Sequence, residues 1–183
     1  VVYENDLIQL IQYTPTTEQV YEKPILFVPP AINKFYLMDL QQDNSMIRYT
    51  VSQGFTTFLI SWRNISREVG YLTWDDYLEM GILKAIDVIQ DITGQDKINT
   101  LGFCIGGTLL SSALAVSKAK KQNNVASLTL MTTLLEFSDV GEIGMFVNED
   151  MVKAREKEVA EGNIEPIKGQ ELSLTFSSLR AND

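Results

Sequence analysis

Apolar positions along the chain fall into short unbroken runs separated by longer amphipathic stretches. Leu7-Ile8-Gln9-Leu10-Ile11-Gln12-Tyr13 is a β-prone run between Asn5-Asp6 and Thr14-Pro15. It predicts a strand that pairs with residues 1–4 across a tight turn, an antiparallel entry hairpin. Pro24-Ile25-Leu26-Phe27-Val28 is apolar throughout and stops at Pro29-Pro30, the pattern of a central strand buried on both faces. Residues 55–62 have the same character. Between these two runs, residues 43–53 predict a helix closing at Gly54, a spacing that suits a right-handed crossover. Thr73-Trp74-Asp75-Asp76 has the form of a capping box, with a hydroxyl at the N-cap and a carboxylate three residues on. The helix it opens carries Leu78, Ile82, Ala85, Ile86 and Ile89 on one stripe and closes at Gly94. Residues 98–103 then predict a third parallel strand, 108–117 a small-residue helix and 125–133 a fourth strand.

The resulting order of β, α, β, α, β, α, β argues for an α/β fold, a mostly parallel sheet with helices on both faces. Ligands of such sheets bind at the carboxyl ends of the strands. From Leu134 onward the alternation breaks. Gly141, Gly144, Gly162, Pro166 and Gly169 interrupt short apolar groups, and the charged run over residues 153–158 reads as a solvated helix face. Residues 1–133 are therefore expected to form the front half of the core, and 134–183 the start of a cap or lid insertion.

Composition narrows the chemistry. With 183 residues and 45% apolar positions, the sequence suits one globular domain with a real core. It contains no histidine, so neither a Ser-His-Asp or Cys-His triad nor a His-ligated metal site can be completed within it, and no metal site is expected. The 15 basic and 24 acidic residues give a net charge of -9, which repels phosphate backbones and argues against nucleic acid as a partner. A single cysteine, Cys104, excludes an internal disulfide and fits a reducing, cytoplasmic setting. No apolar run reaches the roughly 18–20 residues that span a bilayer, so no transmembrane segment is expected.

One constellation carries chemistry. Gly102-Phe103-Cys104-Ile105-Gly106-Gly107 lies between a predicted strand and a predicted helix as a G-x-C-x-G elbow. Such a turn holds its central residue in a strained conformation and exposes it, while the glycines keep Cβ atoms away from the adjoining strand and helix. A lone cysteine is otherwise most often a small buried hydrophobe. At the elbow, the backbone N–H of Ile105 is placed to donate to a developing oxyanion, and the positive end of the helix dipole favours negative charge. A thiol at this position forms a thioester, an acyl enzyme suited to acyl exchange.

The loop Val28-Pro29-Pro30-Ala31-Ile32-Asn33-Lys34-Phe35-Tyr36 leaves the first parallel strand on the same rim. Pro29 and Pro30 have no N–H, so a second oxyanion donor should be the backbone of Ala31 or Ile32. The competing reading is a rigid turn without a catalytic part. Ser61-Trp62-Arg63-Asn64 ends the next strand; Arg63 can meet an anionic ligand or an acidic neighbour.

These segments, with Asp39-Leu40, Thr73-Trp74-Asp75-Asp76-Tyr77 and Gly94-Gln95-Asp96-Lys97-Ile98-Asn99, resemble polyhydroxyalkanoate synthases, in order and across nearly the whole chain. The nearest likeness is to the class I enzymes that make poly(3-hydroxybutyrate). Ala31 departs from the pattern, since family members usually carry a larger residue or cysteine there. The resemblance implies an α/β-hydrolase fold, truncated here, in which Cys104 takes a hydroxyacyl group from (R)-3-hydroxyacyl-CoA and a hydroxyl then attacks the thioester to lengthen the polyester. Asn33 and Arg63 become candidate substrate-binding residues. It also implies that the triad acid and histidine lie beyond Asp183, that these residues alone are inactive, and that no cofactor is needed beyond the coenzyme A of the substrate. The intact enzyme is expected to be a homodimer at the surface of cytoplasmic polyester granules.

Two other classes stay open on the residues alone. One is a cysteine-dependent hydrolase of the same fold, a thioesterase or polyester depolymerase in which water replaces the hydroxyl acceptor. The other is a non-catalytic module that docks on a granule or a partner.

Overall fold

A computed structural model describes residues 1–178 apart from 33, 147 and 164. The chain divides into two compact units, one formed by residues 1–63 and 73–135, the other by 64–72 and 136–183. The segment 64–72 thus belongs to the second unit by its contacts, although it lies within 1–133 in sequence.

The first unit is built on a six-stranded sheet. Its strands are β1 (Tyr3–Glu4), β2 (Ile8–Gln12), β3 (Ile25–Val28), β6 (Thr57–Trp62), β7 (Ile98–Phe103) and β8 (Val125–Met131), in the order β1-β2-β6-β3-β7-β8. β1 pairs with β2, and β2 with β6, in antiparallel fashion, whereas β6, β3, β7 and β8 run parallel to one another. The entry hairpin turns at Asn5, whose Oδ1 accepts from the N–H groups of Leu7 and Ile8 at 2.8 Å. This is the side-chain mimicry of a turn that favours Asn at such positions.

The central strands β3, β6 and β7 are largely buried because they are covered on both faces, whereas β8, at the edge, is mostly exposed. On one face Phe27, Leu59 and Leu101 pack with Ile47 and Val51 of helix α1 (Met46–Ser52) and with Met38. α1 is shorter than the sequence pattern predicts. Residues 39–41 and 44–45 pair as a small second sheet, β4 (Asp39–Gln41) with β5 (Asn44–Ser45), and Ser45 is the N-cap, its side chain accepting from Arg48 N–H at 2.8 Å. Asp43 therefore precedes the helix rather than opening it.

The opposite face is covered by a long helical stretch and by α4 (Ile105–Ala119). The stretch begins at Thr73 with both bonds of the capping box in place and runs through α2 (Trp74–Asp76), a π-helical segment (Tyr77–Leu83) and α3 (Lys84–Thr93). Gly94 ends it in the left-handed conformation, φ 68°. Leu78, Ile82, Ala85, Ile86 and Ile89 are all buried, as the stripe requires. Within the π-helical segment Lys84 N–H bonds to Glu79 O, five residues back. The Met80 carbonyl, which an α-helical Lys84 N–H would take, accepts from Asn5 Nδ2 at 2.8 Å.

The second unit is helical among the described residues. It contains a 3-10 turn (Arg67–Val69), another (Gly141–Phe146), α5 (Glu149–Ala160) and α6 (Gly169–Ser178). Neither α5 nor α6 buries a residue. Arg155 on α5 reaches Glu158 on its own helix and Glu171 on α6 at 3.0 and 2.9 Å, and Arg67 pairs with Glu165. No helix among the described residues is long and apolar enough to cross a membrane.

Candidate active site

The turn from β7 to α4 leaves one residue between strand and helix, Cys104, with φ 55° and ψ -129°. A positive φ on a residue with a Cβ costs on the order of 1–3 kcal/mol and persists only where its surroundings over-determine it. Here they do. Cys104 N–H donates to Met131 O at 2.9 Å, tying the turn to the end of β8. Its carbonyl accepts from Gly107 N–H at 2.9 Å and Thr108 N–H at 3.3 Å, so α4 starts at once. This start is three residues earlier than the sequence pattern predicts, because tertiary contact outweighs the poor helix propensity of Gly106-Gly107.

The glycines are there because backbone passes too close for a side chain. A Cβ on Gly102 would strike Gly107 Cα; one on Gly106 would strike the carbonyl oxygens of Val28 and Pro29; one on Gly107 would strike Thr133 Oγ1. Helix α4 is thus pressed against β3 at one flank and against the chain leaving β8 at the other. Thr108 Oγ1 adds a bond to Leu134 O at 2.8 Å. β8 ends at Met131, two residues short of the predicted limit, because Thr132 turns to φ 45° and directs Thr133 at the elbow.

The result is a half-buried thiol at the N-terminus of a 15-residue helix. Ile105 and Gly106 occupy the first helical positions, whose N–H groups have no intrahelical acceptor. Those donors and the sulfur share one turn, the arrangement that acyl transfer needs: a nucleophile beside donors for the oxyanion.

The loop after β3 reaches the same rim. Val28 pairs with Gly102, so Pro29 begins where the elbow begins. From β3 the chain crosses to β6, and from β7 it crosses to β8 on the opposite side, so the two loops diverge at the sheet's topological switch point. Pro29 and Pro30 are buried, Ala31 is half-buried and Ile32 is exposed. Asn33 lies outside the described residues. Arg63 is exposed and donates from Nη1 to the main-chain carbonyl of Asp6 at 3.3 Å, a bond to backbone rather than to a carboxylate.

Three further groups that brace these two loops have no local sequence signature. Trp62 Nε1 donates to Pro29 O at 2.9 Å. Tyr13 donates to Asp39 Oδ2 at 2.9 Å, and Ser45 to Asp39 Oδ1 at 2.6 Å, fixing the far end of the loop that starts at Pro29. Burial, reinforced by the Asp39 carboxylate, pushes the Tyr13 hydroxyl well above its ordinary pKa, so it stays a donor. Thr133 is the third. Among the described residues no cluster of three or more His, Cys, Asp or Glu could hold a metal ion.

Residues 1–50 match the family described as Poly-beta-hydroxybutyrate polymerase (PhaC) N-terminus. Over its full length the chain is 50% identical to the poly(3-hydroxyalkanoate) polymerase subunit PhaC of Cupriavidus necator, and 41% identical to the poly(3-hydroxyalkanoate) polymerase of Methylorubrum extorquens. The chain belongs to the poly(3-hydroxyalkanoate) polymerase family. It spans about a third of the length of these curated relatives, 32% and 30% respectively.

The solved structures similar to this chain include hydrolases. A sugar hydrolase from Lactococcus lactis matches with a TM-score of 0.56 at 14% identity, covering 82% of this chain and 61% of its own. A carboxylesterase structure from Nitrososphaera gargenis gives 0.51 at 14% identity, covering 85% and 50%. The type II thioesterase BorB gives 0.50 at 12% identity, covering 86% and 62%. At these identities the likeness speaks to fold. Together with the parallel sheet and the strand–elbow–helix turn, it identifies part of an α/β-hydrolase fold.

Proposed function

We propose that these residues carry the nucleophile half of a polyhydroxyalkanoate polymerase active site, with Cys104 as the nucleophile. Its sulfur attacks the thioester carbonyl of (R)-3-hydroxyacyl-CoA. The negative charge that develops on the carbonyl oxygen is held by the N–H of Ile105 and by that of Ala31 or Ile32. Collapse expels the coenzyme A thiol, which takes up the proton that Cys104 gave up, and leaves a hydroxyacyl thioester on Cys104. A hydroxyl group then attacks an acyl thioester, forming an ester bond and freeing the thiol, so the polyester grows by one unit. The base that removes these protons is a histidine supplied from outside these residues, which contain none.

The observation that carries this reading is the backbone of Cys104: the fold holds a strained φ of 55° at the one cysteine, beside the unpaired donors of a helix start. Identity of 41–50% with named polymerases supports the substrate class. The family resemblance supports a homodimer working at cytoplasmic granules, with Asn33 and Arg63 as substrate-binding residues and residues 134–183 as the start of a cap.

The test uses the intact polymerase that contains these residues, supplied with 3-hydroxybutyryl-CoA. Polymer formation with release of coenzyme A is expected, and Cys104→Ala should lower it at least about 10³-fold, as loss of a nucleophile does elsewhere. Free hydroxybutyrate as the sole acyl product would instead make the protein a hydrolase. Unchanged polymerisation by Cys104→Ala would remove the nucleophile from this site.

A further inference from the structure

Trp62 ends β6, two strands away from the elbow in the sheet order, yet its indole N–H reaches the first residue of the loop beside Cys104. The bond to Pro29 O is 2.9 Å long and buried, and Trp62 itself is only 8% exposed. The acceptor is significant. The Pro29 carbonyl lies against Gly106 so closely that a Cβ there would stand 2.7 Å from the carbonyl carbon. One carbonyl is thus gripped between the indole and the second residue of the elbow helix.

That grip falls where the loop has least hold of its own. β3 makes its last ladder pairing at Val28, and neither Pro29 nor Pro30 has an N–H with which to bond a neighbouring strand. The conformation that presents Ala31 and Ile32 therefore depends on what holds the Pro29 carbonyl.

The helix that covers Trp62 is shaped around it. Tyr77 packs against the indole with ring centroids 5.3 Å apart and planes tilted by 34°, and a Cβ on Gly81 would come within 2.7 Å of Trp62 Cζ3. Both residues lie in the π-helical segment. An ordinary buried tryptophan finds some partner for its N–H. Here the ring is seated by a helix distortion, of a kind that recurs at functional sites, and by a glycine beneath it, and the N–H is aimed at the loop carbonyl next to the nucleophile.

We propose that Trp62 is a positioning residue for acyl transfer: by holding the Pro29 carbonyl against Gly106 it sets the Ala31–Ile32 backbone relative to the elbow. This rests on the nucleophile reading given above. It does not touch the substrate; it acts through the loop.

The test compares two reactions of the same sulfur in the intact polymerase. Acylation of Cys104 by 3-hydroxybutyryl-CoA passes through a tetrahedral oxyanion; alkylation by iodoacetamide displaces iodide at a saturated carbon and does not. Trp62→Phe keeps an aromatic ring and removes the N–H. Acylation in the first turnover should fall about 10–100-fold, the scale of a misplaced oxyanion donor, while alkylation keeps its rate. KM for the thioester should stay near its original value, the loss appearing in kcat. Replacing Trp62 by benzothienylalanine, an isostere with sulfur in place of N–H, should reproduce the split with the ring packing intact. Equal losses in both reactions, or unchanged acylation in both variants, would overturn the proposal. If Cys104→Ala still polymerises at the original rate, the nucleophile reading fails first and this inference with it; if Cys104→Ala is dead and the Trp62 variants are not, only the inference fails.

Discussion

The two units of this chain spend their residues differently. Among the described residues, every buried hydrophobic side chain except Val69 belongs to the sheet unit. Each large side chain among them contributes about 1.5–3 kcal/mol, so the sheet unit can carry backbone strain at Cys104 and still fold. In the second unit α5 and α6 bury nothing, and the recurring contacts are exposed ion pairs such as Arg155 with Glu158 and Glu171. Pairs of that kind add little stability. A nucleophile needs a fixed geometry; the sheet unit supplies it by packing, and the second unit has no comparable means.

The comparison would break most visibly in hydrogen exchange. Core strands open only with global unfolding, whereas weakly packed helices open locally. Amides of β3 and β7 should therefore exchange at least about 10³-fold more slowly than those of α5 and α6, a gap of about 4 kcal/mol. Equal protection would show a core in the second unit that its side chains do not suggest.

A smaller effect separates single side chains. Ile86→Ala removes a fully buried group from the helix stripe and should cost about 2–5 kcal/mol. Val159→Ala, on the exposed α5, should change stability by less than about 0.5 kcal/mol. Denaturant unfolding followed by tryptophan fluorescence reads the first directly, because Trp62 and Trp74 both lie in the sheet unit. Exchange rates in α5 read the second.

Smallest is the capping box. Thr73→Ala should cost about 1 kcal/mol in the same unfolding experiment. The bonds from Thr73 N–H and Oγ1 hold the Asp76 carboxyl below its ordinary pKa. A folded pKa below the unfolded one means the contribution is complete above the unfolded value near 3.9 and fades as pH falls through the folded one. The gap between wild type and Thr73→Ala should therefore narrow at acid pH; a gap that widened would contradict the assignment.

How far the sequence could be read follows the range of each interaction. The β/α alternation was visible because it is written in local periodicity, and Leu78, Ile82, Ala85, Ile86 and Ile89 all sit where the stripe put them. The elbow was visible for a related reason, since three glycines around one cysteine reflect steric demands within a few residues. What could not be read comes from distant parts of the chain. The π-helical segment is seated on Trp62 and on Asn5, 15 and more residues away. Met131 O and Thr133 complete the elbow from the end of β8. The sequence pattern starts α1 too early because Asp43 and Ser45 are both good caps, and only the pairing of β4 with β5 selects Ser45.

The central claim is that the strained cysteine forms the acyl link, and the most direct measurement is mass analysis of that peptide. The intact polymerase is mixed with 3-hydroxybutyryl-CoA, quenched in acid within the first turnovers and digested. The account predicts hydroxybutyryl units on the peptide containing Cys104, removable by hydroxylamine as thioesters are. An acyl group found on another residue, or polymer growth with the Cys104 peptide unmodified and freely alkylated throughout, would contradict it.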